Sequence, residues 1–286
     1  MRRIPLAEEF EFGGPTRGLI AQEAHGVCRP SVRNGAGEVP TCVFEKAAAK
    51  GRRRSTVDFS GHRMIDFAVA RRMMVDGQVR TADVTDPRVV DAMLALPRER
   101  FMLEGKQGLA YLDLAAPVAE SGPGRPGRCL LKPMVLGKLL QALEIKEGDS
   151  VLDVGCTTGY SAALMAQIAK SVIALEEDPV LAARAKQALA AAGTANATVV
   201  SGPLPAGWPN EGPYDVILVE GATEFRPQTL YGQLKEGGRL ACISGRGPAG
   251  KAMLYRVSEG EVSGRPIFDA AAEVLPGFAA PDVFVF

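Results

Sequence analysis

The stretch Val151-Leu152-Asp153-Val154-Gly155-Cys156-Thr157-Thr158-Gly159-Tyr160 decides the fold. Its apolar start reads as a buried strand, its glycines as a tight turn, and the residues from Tyr160 onward as the opening of a helix. Gly155 and Gly159 remove Cβ atoms where a nucleotide-like ligand would lie, and N–H groups at the start of the helix offer hydrogen bonds. Downstream, Ser171-Val172-Ile173-Ala174-Leu175 reads as the next strand and ends in Glu176-Glu177-Asp178. A carboxylate at that strand end can accept two ribose hydroxyls, as the acidic residue of dinucleotide-binding units does.

Working outward, the alternation continues. The pattern predicts a helix over about 87–96, where Asp86-Pro87 supplies an N-cap and an N1 proline, and another opening at Pro133 with the stripe Leu136, Leu139, Leu140 and Leu143. After the strand at 151–154 it predicts a helix over about 160–169, a strand over 171–175, an alanine-rich helix over 179–192, and strands over 197–200 and 214–219. A helix over 226–234 and a strand over 239–243 follow. Met253-Leu254-Tyr255 and Val283-Phe284-Val285-Phe286 read as strands completing the sheet edge. Strands separated by helices indicate an α/β protein with a Rossmann-like, doubly wound, mostly parallel sheet and helices on both faces.

Residues 1–63 read differently. They hold both histidines, His25 and His62, the run Arg52-Arg53-Arg54, and no sustained periodicity. With 11 basic and 7 acidic residues they carry a net +4, against −4 for the 22 basic and 26 acidic residues of 64–286. They are expected to form an extension with little structure of its own, followed by one domain over 64–286, with Met64 as an alternative start. Within that domain, 64–132 would hold N-terminal helices and a substrate loop, and 133–286 the cofactor-binding core.

Composition narrows the function. The chain of 286 residues is 47% hydrophobic and 23% charged with zero formal net charge, which supports a sizeable core and gives no electrostatic reason to expect nucleic acid as a partner. No apolar run nears the ~18 residues of a membrane span, and the start lacks an apolar signal region. Cys28, Cys42, Cys129, Cys156 and Cys242 show no pairing rhythm, so a reducing cytoplasm is the simpler setting. With no histidine in 64–286, a histidine-based triad or a histidine-rich zinc site cannot be built there.

Two cofactors compete for the turn. Of the dinucleotide pattern G-x-G-x-x-G only the glycines Gly155 and Gly159 remain, because 157 is Thr and 160 is Tyr. The S-adenosylmethionine pattern, acidic-x-Gly-x-Gly-x-Gly, is met at Asp153, Gly155 and Gly159 with Thr157 as the middle residue, so spacing favours S-adenosyl-L-methionine. Seven segments bear on this: Met74-Val75-Asp76-Gly77-Gln78-Val79-Arg80, Thr85 to Met93, Pro97-Arg98-Glu99-Arg100-Phe101, Leu152 to Tyr160, Gly207-Trp208-Pro209, Pro213 to Ile217, and Gln233 to Leu240. Through them, residues 64–286 resemble the protein-L-isoaspartate O-methyltransferase family.

The resemblance implies S-adenosylmethionine-dependent carboxyl methylation of isoaspartyl sites in proteins, with isoaspartyl proteins or peptides as partners and no nucleic acid or membrane. It implies a cofactor site of Asp153, Gly155, Cys156, Thr157, Gly159, Tyr160, Glu176, Pro203 and Leu204. Gly202-Pro203-Leu204 stands where the family has Gly-Asp-Gly, and Cys129-Leu130-Leu131-Lys132-Pro133 stands where it has a hydroxyl-bearing substrate loop. Leu131 and Lys132 are thus the expected substrate contacts, with Leu131 in the serine's place, and no side chain is assigned as catalytic. The alternatives are a methyltransferase of the same fold with another acceptor, or a non-catalytic binding module.

Overall fold

The computed structural model describes residues 65–120, 122 and 127–281. The extension expected over 1–63 and the strand expected at 283–286 lie outside the described residues.

Helix α1 (Phe67–Met74) starts where the Asp66 carboxylate accepts the Ala68 and Val69 N–H groups, and it runs on into a wider turn over Val75–Val79. Helix α2 (Pro87–Ala95) has the expected start, with Asp86 accepting the Arg88 N–H ahead of Pro87. A short hairpin not foreseen from the pattern, β1 (Ala116–Ala119) with β2 (Arg128–Leu130), leads to helix α3 (Pro133–Leu143).

The core then alternates as expected: β3 (Ser150–Val154), α4 (Tyr160–Ala166), β4 (Ser171–Glu176), α5 (Pro179–Ala191), β5 (Ala197–Ser201) and β6 (Tyr214–Thr223). It closes with α6 (Gln228–Tyr231), β7 (Leu234–Ser244), β8 (Lys251–Ser258) and β9 (Glu261–Asp269). The sheet order is β5-β4-β3-β6-β7-β8-β9, parallel from β5 to β7 and antiparallel at β8 and β9. Pro266 in β9 fits an edge strand, where the missing N–H costs no ladder bond.

One expectation is corrected. The helix at 226–234 shrinks to α6, because Pro227 precedes it, Gly232 ends it, and Leu234 already pairs with Tyr214 as part of β7. Helices are also unequal on the two faces. Side chains of α3, α4 and α5 pack with Val151, Val172, Val216 and Leu218 on one face. The other face, with Leu152, Val154, Ile217 and Val219, is covered by α6 and by irregular segments that contribute Leu204, Leu275 and Phe278. The link from β5 to β6 contains Pro203, Pro205, Pro209 and Pro213, and proline cannot sustain a helix there. No helix among the described residues is long and apolar enough to cross a membrane.

Candidate active site

The strand order reverses at β3, which lies between β4 and β6, and in open α/β sheets the crevice at such a point receives ligands outside the carboxyl ends of the strands. Three segments meet there: the Gly155–Gly159 turn after β3, Glu176 at the end of β4, and Glu220 with Gly221 late in β6.

The turn is built as its glycines require. Gly155 and Gly159 have φ of 82° and 89°, and their backbone conformation is the left-handed one that glycine adopts without a Cβ clash. Thr157 stands between them at φ 52°, an uncommon value for a β-branched residue, and its buried Oγ1 has no hydrogen-bond partner. Internal bonds fix the loop: the Gly155 and Cys156 N–H groups reach Leu175 O at 2.8 and 3.2 Å, and the Thr157 N–H reaches Glu176 Oε2 at 2.9 Å.

Glu176 is fully buried. Besides the Thr157 bond it accepts the Glu177 and Asp178 N–H groups at 3.0 and 3.1 Å, and Arg128 grips both carboxylate oxygens at 2.8 and 2.9 Å. A third donation from Arg128 goes to Gly155 O at 3.1 Å. The sequence leads to a Glu176 that faces a ligand; the structure shows its lone pairs already taken by this chain.

Beside the turn lies a second buried polar group. Asp153 accepts the Ser161 hydroxyl at 2.6 Å on Oδ2, while its Oδ1 has no partner. Glu220, only 3% exposed, also interacts with Ser161 and leaves Oε1 without a partner. Burial pushes both acids up, Asp153 to about 7 with a further push from the Glu176 charge, and Glu220 well above the carboxylate range with a further push from Asp153. Arg98 is buried with them: it donates to Ala110 O and Leu131 O, both at 2.8 Å, and its guanidinium lies 4.7 Å from the Tyr160 ring centre. Arg98 and the Tyr160 hydroxyl also interact with each other. Folded proteins rarely leave buried polar atoms unpaired, and here those of Asp153 and Glu220 gather at one strand end.

The remaining expected residues separate. Cys156 is buried in the turn and burial raises its thiol, so it is packing and not a nucleophile. Leu131 is buried with its carbonyl bound by Arg98, and Lys132 flanks the first turn of α3, partly exposed. Leu204 packs into the sheet face that has few helices, whereas Pro203 is exposed. Sequence reasoning assigned no site role to Arg98, Arg128, Glu220 or Leu275. Of these only Glu220 carried a local signal, a carboxylate within an otherwise apolar strand.

Glycines at 155 and 159, an acid at the end of β4 in the ribose-accepting place, and the unpaired carboxyl oxygens of Asp153 and Glu220 match a nucleoside bearing a sulfonium and an amino-acid end. The residues present therefore fit S-adenosyl-L-methionine in kind. No group of three or more metal-binding side chains occurs among the described residues.

Fold and site together define an α/β methyltransferase domain of the Rossmann-like class. The family model for protein-L-isoaspartate(D-aspartate) O-methyltransferase matches residues 70–265, and the chain belongs to that family. It is 39% identical over 174 residues to protein-L-isoaspartate O-methyltransferase 1 of Rhodopseudomonas palustris (strain HaA2), which covers 61% of this chain and 69% of that protein. Identity is also 39% over 187 residues to protein-L-isoaspartate O-methyltransferase 2 of Anaeromyxobacter sp. (strain Fw109-5), covering 65% of this chain and 74% of that one. A solved protein-L-isoaspartate O-methyltransferase shares the fold with a TM-score of 0.64 at 24% identity, covering 72% of this chain and 66% of the other. A structure from Plasmodium falciparum, in complex with S-adenosyl-L-homocysteine, superposes with a TM-score of 0.58 at 20% identity, covering 72% and 97%.

Proposed function

We propose that this chain methylates the side-chain carboxylate of isoaspartyl residues in proteins with S-adenosyl-L-methionine as donor. The observation that carries the reading is the pairing of Glu176 with the Gly155–Gly159 turn at the point where strand order reverses, in a chain of this family. The cofactor supplies an electrophilic methyl on a cationic sulfur.

The chain's own residues have a positioning task. An acceptor carboxylate with a pKa near 4 is ionised at neutral pH, so no general base is needed. Transfer of that methyl to the ionised carboxylate would give a neutral ester, with no proton for the chain to remove. Glu176 would hold the ribose hydroxyls, and the free oxygens of Asp153 and Glu220 would face the cationic part. The loop Cys129–Lys132 would receive the acceptor, with Leu131 excluding water and Lys132 attracting the carboxylate.

The test is transfer of labelled methyl from S-adenosylmethionine to an isoaspartyl peptide, beside the aspartyl peptide and a Glu176→Ala control. Base-labile label confined to the isoaspartyl peptide and lost in the control is the expected result. Label on neither peptide, with protein that binds the cofactor, would overturn the assignment of acceptor.

A further inference from the structure

The cradle required by the proposed function is filled by the chain itself. A Cβ built on Gly155 would lie 3.1 Å from Leu275 Cδ1 and 3.2 Å from Arg128 Nη2, so these two side chains stand over the glycine turn. Leu275 is seated by backbone pairing onto β6. The Ala222 N–H donates to Glu273 O at 2.8 Å, the Leu275 N–H donates to Ala222 O at 3.0 Å, and the Glu224 N–H donates to Phe278 O at 2.9 Å. Gly221 makes room for it, since a Cβ there would come within 2.6 Å of Leu275 Cγ. A cavity of only about 20 Å³ lies beside Arg128, Leu131, Glu220 and Leu275.

The chemistry at Glu176 points the same way. A carboxylate has about four lone-pair positions. Glu176 already meets three backbone N–H groups and a two-pronged guanidinium. Two ribose hydroxyls can bind there only in place of Arg128.

We propose that Arg128 and Leu275 are resident occupants of the cofactor cradle, which the cofactor must displace to bind, so that these two residues set the cofactor's affinity. The proposal rests on the functional reading above. Apparent affinity is the intrinsic affinity scaled by the fraction of molecules with the cradle open, and contacts that hold it closed lower that fraction.

Calorimetric titration of S-adenosylhomocysteine into the full chain tests this, with wild type, Leu275→Ala and Arg128→Met compared. Each variant should bind at least tenfold more tightly than wild type. In parallel, hydrogen exchange on the wild type should show the Leu275 and Phe278 amides losing protection when S-adenosylhomocysteine is added. This second measurement stands even where Arg128→Met, which strips Glu176 of its counter-ion, fails to fold. Unchanged affinity in a folded variant, or unchanged protection at saturation in the wild type, would overturn the proposal and leave the functional reading intact. Absence of binding by every folded protein would overturn both.

Discussion

The two ends of β3 solve the same problem in opposite ways. At the amino end, Asp215 accepts the Ser150 N–H and hydroxyl at 2.8 and 3.1 Å and the Lys235 ammonium at 2.7 Å. Asp149 pairs with Arg239, which also donates to Leu143 O at 2.7 Å. At the carboxyl end, Asp153 and Glu220 each keep an oxygen with no partner in a fully enclosed setting. Burial pushes Asp215 up, but the bonds from Lys235 and Ser150 prevail and hold it below the usual range, while burial prevails at Asp153. One end is thus complete on folding, and the other is left incomplete in the way expected of a site kept for a ligand.

The largest effect that should sharpen this contrast comes from Glu176→Ala. It is expected to weaken S-adenosylhomocysteine binding at least a hundredfold by calorimetry, and to cost about 3–5 kcal/mol in denaturant unfolding because Arg128 loses its buried partner. Arg239→Ala at the opposite end should cost about 3 kcal/mol by stranding Asp149, yet leave cofactor affinity within about twofold. If it shifts cofactor affinity as strongly as stability, the two ends are not separate.

Asp153→Asn carries a pH signature. The folded carboxyl sits at about 7 against an ordinary 3.8, so its protonated form is the one the fold favours. The stability it confers is complete below its ordinary value and is lost as pH rises through about 7. The variant should therefore gain on the wild type as pH rises from 4 to 8, reaching about 4 kcal/mol above pH 7. Thermal unfolding across that range reads this out, and a difference flat with pH would break the assignment of a raised carboxyl.

Two smaller effects follow. Thr157→Gly should raise stability by about 1 kcal/mol, the relief of a left-handed β-branched residue exceeding the entropy that glycine adds to the unfolded chain. Lys235→Ala should lose less than about 1 kcal/mol by the same denaturant assay, because its ion pair with Asp215 is partly exposed.

Much of this was legible in the residues. Val151 to Tyr160 and Ser171 to Glu176 announce a strand, turn, helix and strand through patterns that span only a few positions, and Asp86-Pro87 marks a helix start by local capping chemistry. The pattern failed where a short apolar stretch had two possible roles. Leu234 reads as the end of a helix but pairs with Tyr214 as strand, and Glu261–Asp269 joins the sheet edge although none of its residues is buried.

By itself the sequence determined the alternation of elements, the glycine turn, the acid at the end of the second core strand, and the family, because each is written in neighbouring residues. Only the tertiary structure decided that Arg128 closes on Glu176, that Arg98 lies over the Tyr160 ring, and that Leu275 covers Gly155. A charge chooses its partner by distance in space, and a glycine's free volume is filled by whatever the fold carries past it. Neither is a property of the residues alongside it in the chain.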